Sequence, residues 1–304
     1  MHAACFSHTA PETDALRREW DTVIGNGAAL TLAVEQRLAH NSVRLVAVGA
    51  GVFVPDATVA ALIEEQEPVL GMSLHSPGMM LLTPQQVSAA NSGDGLNFYI
   101  SHWAWAEHLL SPEQATHVRI YLTSRFLWFH LGYNVKQILV PALGEGPRRW
   151  AEAAGMKPLN EYRRHNCRSG DAMPCLLGIS RAEVAEAEGH FISSALLYTR
   201  PRICFSDAEQ QILRYARRGL TDEEISGTLS LGFGTVKKRW RDIYGRTLSV
   251  LPELLPPPGD AGRGLERRRV LLRYLDEHPE EIRPYGAAAK PKRRRAQAQE
   301  EAAP

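Results

Sequence analysis

Apolar positions change their spacing along this chain, and each change marks an element. VRLVAVGAGVFV (43–54) is a β-branched run with a glycine interruption, and LNFYISHWAW (96–105), preceded by Gly93, Asp94 and Gly95, is an aromatic second strand. Behind Ser111 and Glu113 the period lengthens: Val118, Tyr121, Leu122, Phe126 and Phe129 recur at helical spacing until Gly132. VKQILVPAL (135–143) is a further strand, EGPRRWAEAAGMK a short helix with Pro147 near its first turn and Gly155 at its end, and LNEYRR a returning strand. The order β-α-β-α-β predicts an α/β or α+β domain over residues 1–200. Residues 165–176 read as a loop and SRAEVAEAEGHFISSALLY (180–198) as one helix.

Past the boundary at TRPRIC (199–204) the pattern becomes helical throughout. Ser206 and Glu209 stand at N-cap and N3 spacing, ahead of an inward stripe of Ile212, Leu213 and Ala216 that Gly219 ends. Thr221 and Glu224 repeat the capping pattern before a short helix carrying Ile225 and Leu229. A turn from Ser230 to Gly234 precedes a third helix beginning near Thr235. Residues 203–250 therefore read as a small all-α, helix-turn-helix domain. The prolines of LPPPGDAGRG (255–264) break it off. An amphipathic helical extension (263–285) follows, predicted to pack on that domain through Val270, Leu271 and Leu275. Residues 286–304, with the KPKRRR run, lack periodicity and are expected to be a disordered basic tail. Such a run adds only salt-sensitive, sequence-independent affinity for DNA.

Composition sharpens the division. Across 304 residues the net charge is only +1, but residues 1–200 sum to −4 and residues 201–304 to +5. The C-terminal part is the one suited to a polyanion. The apolar fraction of 44% and charged fraction of 23% are globular values that exclude collagen, bulk disorder and a disulfide scaffold. The longest apolar stretch falls short of the ~20 residues that span a bilayer, and the first twenty residues lack the apolar run of a signal peptide. A cytoplasmic protein without membrane contact is the expectation. Cys5, Cys167, Cys175 and Cys204 form no CxxC pair, and His165 beside Cys167 does not complete a zinc spacing, so no metal is expected; no cofactor is expected either.

The third helix carries the chemistry. At 100° per residue Val236, Trp240, Ile243 and Tyr244 share the inward side, Lys238 and Arg241 point most directly away, Thr235 and Asp242 lie beside them, and Lys237 and Arg239 flank the stripe. Arg241 has the reach to read guanine bidentately, and Lys237 or Lys238 to neutralise phosphate. The segment LTDEEISGTLSLGFGTVKKRWRDIYGRT, with Glu209, Leu213, Arg214, Ala216 and Gly219 ahead of it, resembles the LuxR-type helix-turn-helix of bacterial transcription regulators over about 45 residues. The resemblance implies that Thr235, Val236, Lys237, Lys238, Arg239 and Arg241 lie at or near the major groove of double-stranded DNA, read by a homodimer. Two departures stand out. Gly232 replaces the usual capping Ser, and SVLPELLPPPG fits the family's fourth, dimerising helix poorly.

For residues 1–200 the block ending in RRWAEAAGMKPLNEY is more loosely similar to the C-terminal half of a GNAT-type acyltransferase. That family cradles acyl-CoA pyrophosphate on a Gly-rich loop at a helix N-terminus. AEHLLSPEQAT (106–116) has no glycine, which favours a non-catalytic sensor or interaction domain for a small-molecule or protein ligand. PAS-type, GAF-type and acyl-homoserine-lactone receptor domains remain alternatives for this part. The function expected is thus a sequence-specific transcription regulator, not an enzyme. The alternatives are an acyl-CoA-dependent acyltransferase with an accessory DNA-binding module and an adaptor that has lost DNA binding. His102, Trp103, Trp105 and His108 form a conspicuous cluster, for which core packing of a strand face is the plainer account; His117 and His130 read as satisfied or exposed.

Overall fold

The computed structural model describes residues 29–64, 80–142, 144–162, 174–186, 192–257 and 263–286, together with Arg18, Asp21 and Ile24. The basic tail, His165 and Cys167 lie outside the described residues. The chain divides into two compact units, residues 1–198 and 199–304.

The first unit is a mixed α/β structure. Its strands are β1 (Ala29–Arg37), β2 (Val43–Val54), β3 (Leu96–Trp105), β4 (Val135–Ala142), β5 (Lys157–Glu161) and β6 (Cys175–Ser180). They form one six-stranded sheet in the order β1-β2-β3-β4-β6-β5. Every pairing is antiparallel except β3 with β4, which is parallel and covers only Leu96–Tyr99 against Val135–Leu139. Beyond Tyr99, β3 continues on β2 alone and β4 on β6 alone.

Among the described residues this unit has the helices α1 (Asp56–Glu64), α2 (Pro84–Ser92), α3 (Pro112–His130), α4 (Glu145–Ala153), α5 (Arg181–Glu186) and α6 (Ser193–Leu196), besides the helical positions Arg18, Asp21 and Ile24. Helix α3 starts where Ser111 accepts from the Gln114 N–H and the Gln114 side chain answers the Ser111 N–H, so Gln114 rather than Glu113 completes the cap. On one sheet face Phe53, Phe98, Ile100 and Ile138 pack under α2, α3, α4 and α6; on the other Val52, Val54, Tyr99 and Leu176 pack under α1.

Three differences from the expected elements stand out. Strand β1 is an addition to them, although Leu30, Leu32 and Val34 alternate. Strand β6 begins inside the stretch expected to be a loop, and buries Cys175–Ile179 on both faces. A short run buried all round shows no alternation to betray it. The single helix expected over 180–198 is instead described as α5 and α6, with 187–191 outside the described residues.

Among its described residues the second unit has α7 (Asp207–Arg217), α8 (Asp222–Thr228), α9 (Phe233–Val250), α10 (Arg263–Glu277) and a 3-10 turn at Pro279–Ile282. Ser206 with Glu209 and Thr221 with Glu224 form complete capping boxes at the starts of α7 and α8. Leu271 and Leu275 of α10 are fully buried against Ile212, Leu213, Trp240 and Ile243, with Val270 partly buried beside them. The Glu281 carboxylate, buried completely, accepts the N–H groups of Arg202 (3.0 Å) and Ile203 (2.9 Å) and the Tyr274 hydroxyl (3.1 Å). That contact joins the first residues of the unit to its last turn. No helix among the described residues is long and apolar enough to cross a membrane.

Candidate nucleic-acid interface and apolar cavity

Helix α9 is anchored by one face and exposed on the other. Val236, Trp240, Ile243 and Thr247 are buried, while Thr235, Lys237, Lys238 and Arg241 are exposed. The anchoring is polar as well as apolar. Trp240 Nε1 donates to Asp222 Oδ1 (3.0 Å), and the Arg268 guanidinium donates to the same carboxylate (2.9 Å) and to the Leu220 carbonyl (2.9 Å) while lying 4.8 Å from the Trp240 ring centre. Helix α10 thereby fixes the start of α8 against α9. This clamp is not legible in sequence, because Arg268 reads as one of three equivalent arginines.

The link between α8 and α9 is tight. Ser230 adopts a left-handed φ of +51°, and Ser226 Oγ donates to the Leu231 carbonyl (2.5 Å). Helix α9 starts at Phe233, two residues before the expected Thr235, behind a Gly232 N-cap with no side-chain hydrogen bond. Its first-turn N–H groups therefore have no capping side chain from Gly232, a dipole end that favours an anion. It then runs without interruption to Val250.

The six residues singled out on α9 occupy different environments. Thr235, Lys238 and Arg241 face solvent. Lys237 is exposed too, with its Nζ 4.4 Å from the Phe233 ring centre. Val236 is fully buried, so it holds the helix in place and presents nothing outward. Arg239 is half-buried and donates to the Ala208 carbonyl (3.4 Å), which turns it toward α7. Further along, Arg246 pairs with the buried Glu209 (3.0 Å) and is likewise engaged.

In the first unit an apolar cavity of about 90 Å³ lies between β1–β3 and α3, with α4 at one side. Its floor follows from strand register. Leu32, Gly49 and Trp103 are mutual partners across β1, β2 and β3, and so are Leu30, Gly51 and Ile100. A bulge opposite Ala50/Gly51 brings Trp103 and Trp105 onto this face, their ring centres 5.1 Å apart, and Trp150 of α4 lies 4.1 Å from Trp103. The roof is Leu122, Phe126 and Phe129 of α3. Tyr121, expected on that inward stripe, is exposed, with Arg125 over its ring at 5.0 Å.

Two glycines of β2 meet this region differently. A Cβ on Gly51 would fall 2.2 Å from Phe98 Cζ, so Phe98 occupies the space a side chain would need; a Cβ on Gly49 would meet no atom within 4 Å. Of the polar lining, His102 has its pKa lowered by burial, which favours the neutral ring. His130 is buried, and its Nδ1 donates to the Phe126 carbonyl (2.6 Å). Arg119 is exposed and donates to Thr116 Oγ1 (3.2 Å). His108 and His117 are exposed and do not line the cavity. Among the described residues no group of three or more His, Cys, Asp or Glu side chains gathers as a metal site.

The chain matches no protein-family model and no curated protein. Among solved structures it is similar to FeeM, an N-acyl amino acid synthase from uncultured soil microbes, at 11% identity and a TM-score of 0.29, over 58% of this chain and 91% of that one. At that TM-score the likeness bears on neither substrate nor mechanism.

Proposed function

We propose that this protein is a sequence-specific DNA-binding transcription regulator of the LuxR type, in which α9 enters the major groove and the N-terminal unit governs its activity. The observation that carries this reading is the two-sidedness of α9. Val236, Trp240 and Ile243 are buried, and the opposite side exposes Thr235, Lys237, Lys238 and Arg241 within two turns. A helix held so firmly can place its outer side chains against base edges and phosphates without first ordering itself. Arg241 would read a base, Lys237 and Lys238 would meet phosphates, and two copies would read half-sites about one helical turn apart. Selection of bound sequences from a random duplex pool at ~150 mM salt, with wild type beside Lys238→Ala/Arg241→Ala, tests it. A discrete motif lost by the double variant is expected; retention that survives the substitutions, or none at all, refutes it.

The acyltransferase reading has one observation in its favour. Helix α4, then Gly155 at a φ of +93°, precede the last two strands, as the GNAT resemblance requires. The start of α3, where that family binds pyrophosphate, argues the other way. Pro112 has no N–H, and the Gln114 N–H is taken by Ser111 Oγ, so these two positions offer an anion no backbone donor. Calorimetry with acetyl-CoA separates the readings: no heat of binding is expected at millimolar cofactor.

A further inference from the structure

We propose that the cavity between β1–β3 and α3 takes the aliphatic tail of a small monoanionic amphiphile, with its carboxylate head at Arg119. The site goes beyond DNA recognition and stands or falls independently of it.

The floor is built to leave room. A glycine inside a strand weakens it, and one use of such a residue is to let a ligand approach the backbone. Gly49 fits that use: its neighbours across the sheet are the large Leu32 and Trp103, yet the space above it is open. Gly51, two residues on, differs because Phe98 fills its space. Were both glycines simply relieving a crowded sheet, both positions would be filled.

The chemistry of the lining selects the occupant. Leu30, Leu32, Ile100, Trp103, Leu122 and Phe126 offer apolar surface, which favours a dry cavity over one holding water. The size favours a thin chain: about 90 Å³ is below the ~150 Å³ of a cavity known to hold a benzene ring. Arg119 is the one lining residue with a permanent charge, and it is exposed at the N-terminal end of the cavity-facing stripe of α3 that runs on through Leu122, Phe126 and Phe129. A cation at the rim of an apolar space complements an anionic head and an apolar tail, and a carboxylate matches the guanidinium fork.

The test is calorimetric titration of the intact protein with the sodium salts of butanoate, hexanoate, octanoate and decanoate, and with hexan-1-ol. Saturable one-to-one binding is expected, tightening about fourfold per added methylene, the ~0.8 kcal/mol of a buried CH₂, until the cavity is full. Gly49→Leu fills the space and weakens hexanoate at least tenfold. Arg119→Gln weakens hexanoate while leaving hexanol unchanged. Gly49→Ala, whose Cβ has room, keeps the fold and shortens the best chain by about one methylene, which covers the case of a Leu variant that does not fold. No saturable binding of any carboxylate, equal binding of hexanol and hexanoate, or an optimum unmoved in Gly49→Ala overturns the proposal. Failure of DNA selection leaves it intact.

Discussion

Replacing Glu281 by Gln tests how the second unit is closed. The carboxylate is buried completely and accepts three hydrogen bonds, from the N–H groups of Arg202 and Ile203 and from the Tyr274 hydroxyl. Glutamine keeps the size but turns one oxygen into an NH₂ that must face a backbone N–H. The variant loses a hydrogen bond to a charged group, ~1.5–3 kcal/mol, and leaves a buried donor unmet, ~1–3 kcal/mol. Because these overlap, the expected loss is about 2–4 kcal/mol. Amide hydrogen exchange on the intact chain reads it locally. Peptides covering α7 and α10 should exchange roughly 30- to 1000-fold faster, at ~1.4 kcal/mol per tenfold, while β2–β4 stay unchanged. Glu280→Gln is the control, since Glu280 pairs with His278 Nδ1 (2.9 Å) rather than with Arg202 and Ile203. Exchange in α7 within twofold of wild type would refute the view that this carboxylate closes the unit.

Three further outcomes are expected. In Lys238→Ala/Arg241→Ala the slope of log affinity against log salt should flatten by about 0.9, for the one phosphate that Lys238 no longer neutralises; an unchanged slope in a binding titration places the DNA elsewhere. Gly51→Ala should destabilise the first unit by ~1–3 kcal/mol because its Cβ meets the buried Phe98 ring, whereas Gly49→Ala should be neutral or stabilising; equal effects in urea unfolding contradict the cavity geometry. The pKa of His102 is lowered in the folded protein, so the unfolded chain binds more protons at mildly acidic pH. Its contribution is therefore present above the unfolded pKa of ~6.5 and shrinks as pH falls below it. His102→Gln should flatten the melting temperature of the first unit between pH 7 and 5, measured by circular dichroism.

The legible parts of this protein share a short range. The capping boxes at Ser206 and Thr221, the inward face of α9 and the strands β2 to β4 depend on hydrogen bonds or periodicities within a few residues, and the structure has them where the spacing predicts. The start of α9 falls two residues earlier than its pattern suggests because Gly232 carries no side chain to announce a cap. Other features are long-range. Strand β6 exists as a strand through its pairing with β4 and β5, and nothing in CLLGIS alone separates it from a buried loop.

The candidate sites divide in the same way. Lys237, Lys238 and Arg241 follow from helical phase, since that angle is set by the backbone whatever surrounds it. Val236 lies on the inward stripe by the same phase, and its burial agrees with that rather than with a place at the groove, while Arg239, on the flank, is turned by the carbonyl of Ala208. The cavity is invisible in sequence: Trp103 and Trp105 read as core packing, and an unfilled volume depends on whether α3 closes down on Gly49. What the sequence by itself determined is local conformation and the charge on one helix face, because backbone hydrogen bonds and side-chain phase act over a turn or two. What only the tertiary structure decided is which side chains are buried, which space stays empty and which carboxylate closes a unit, because those depend on residues brought together across tens of positions.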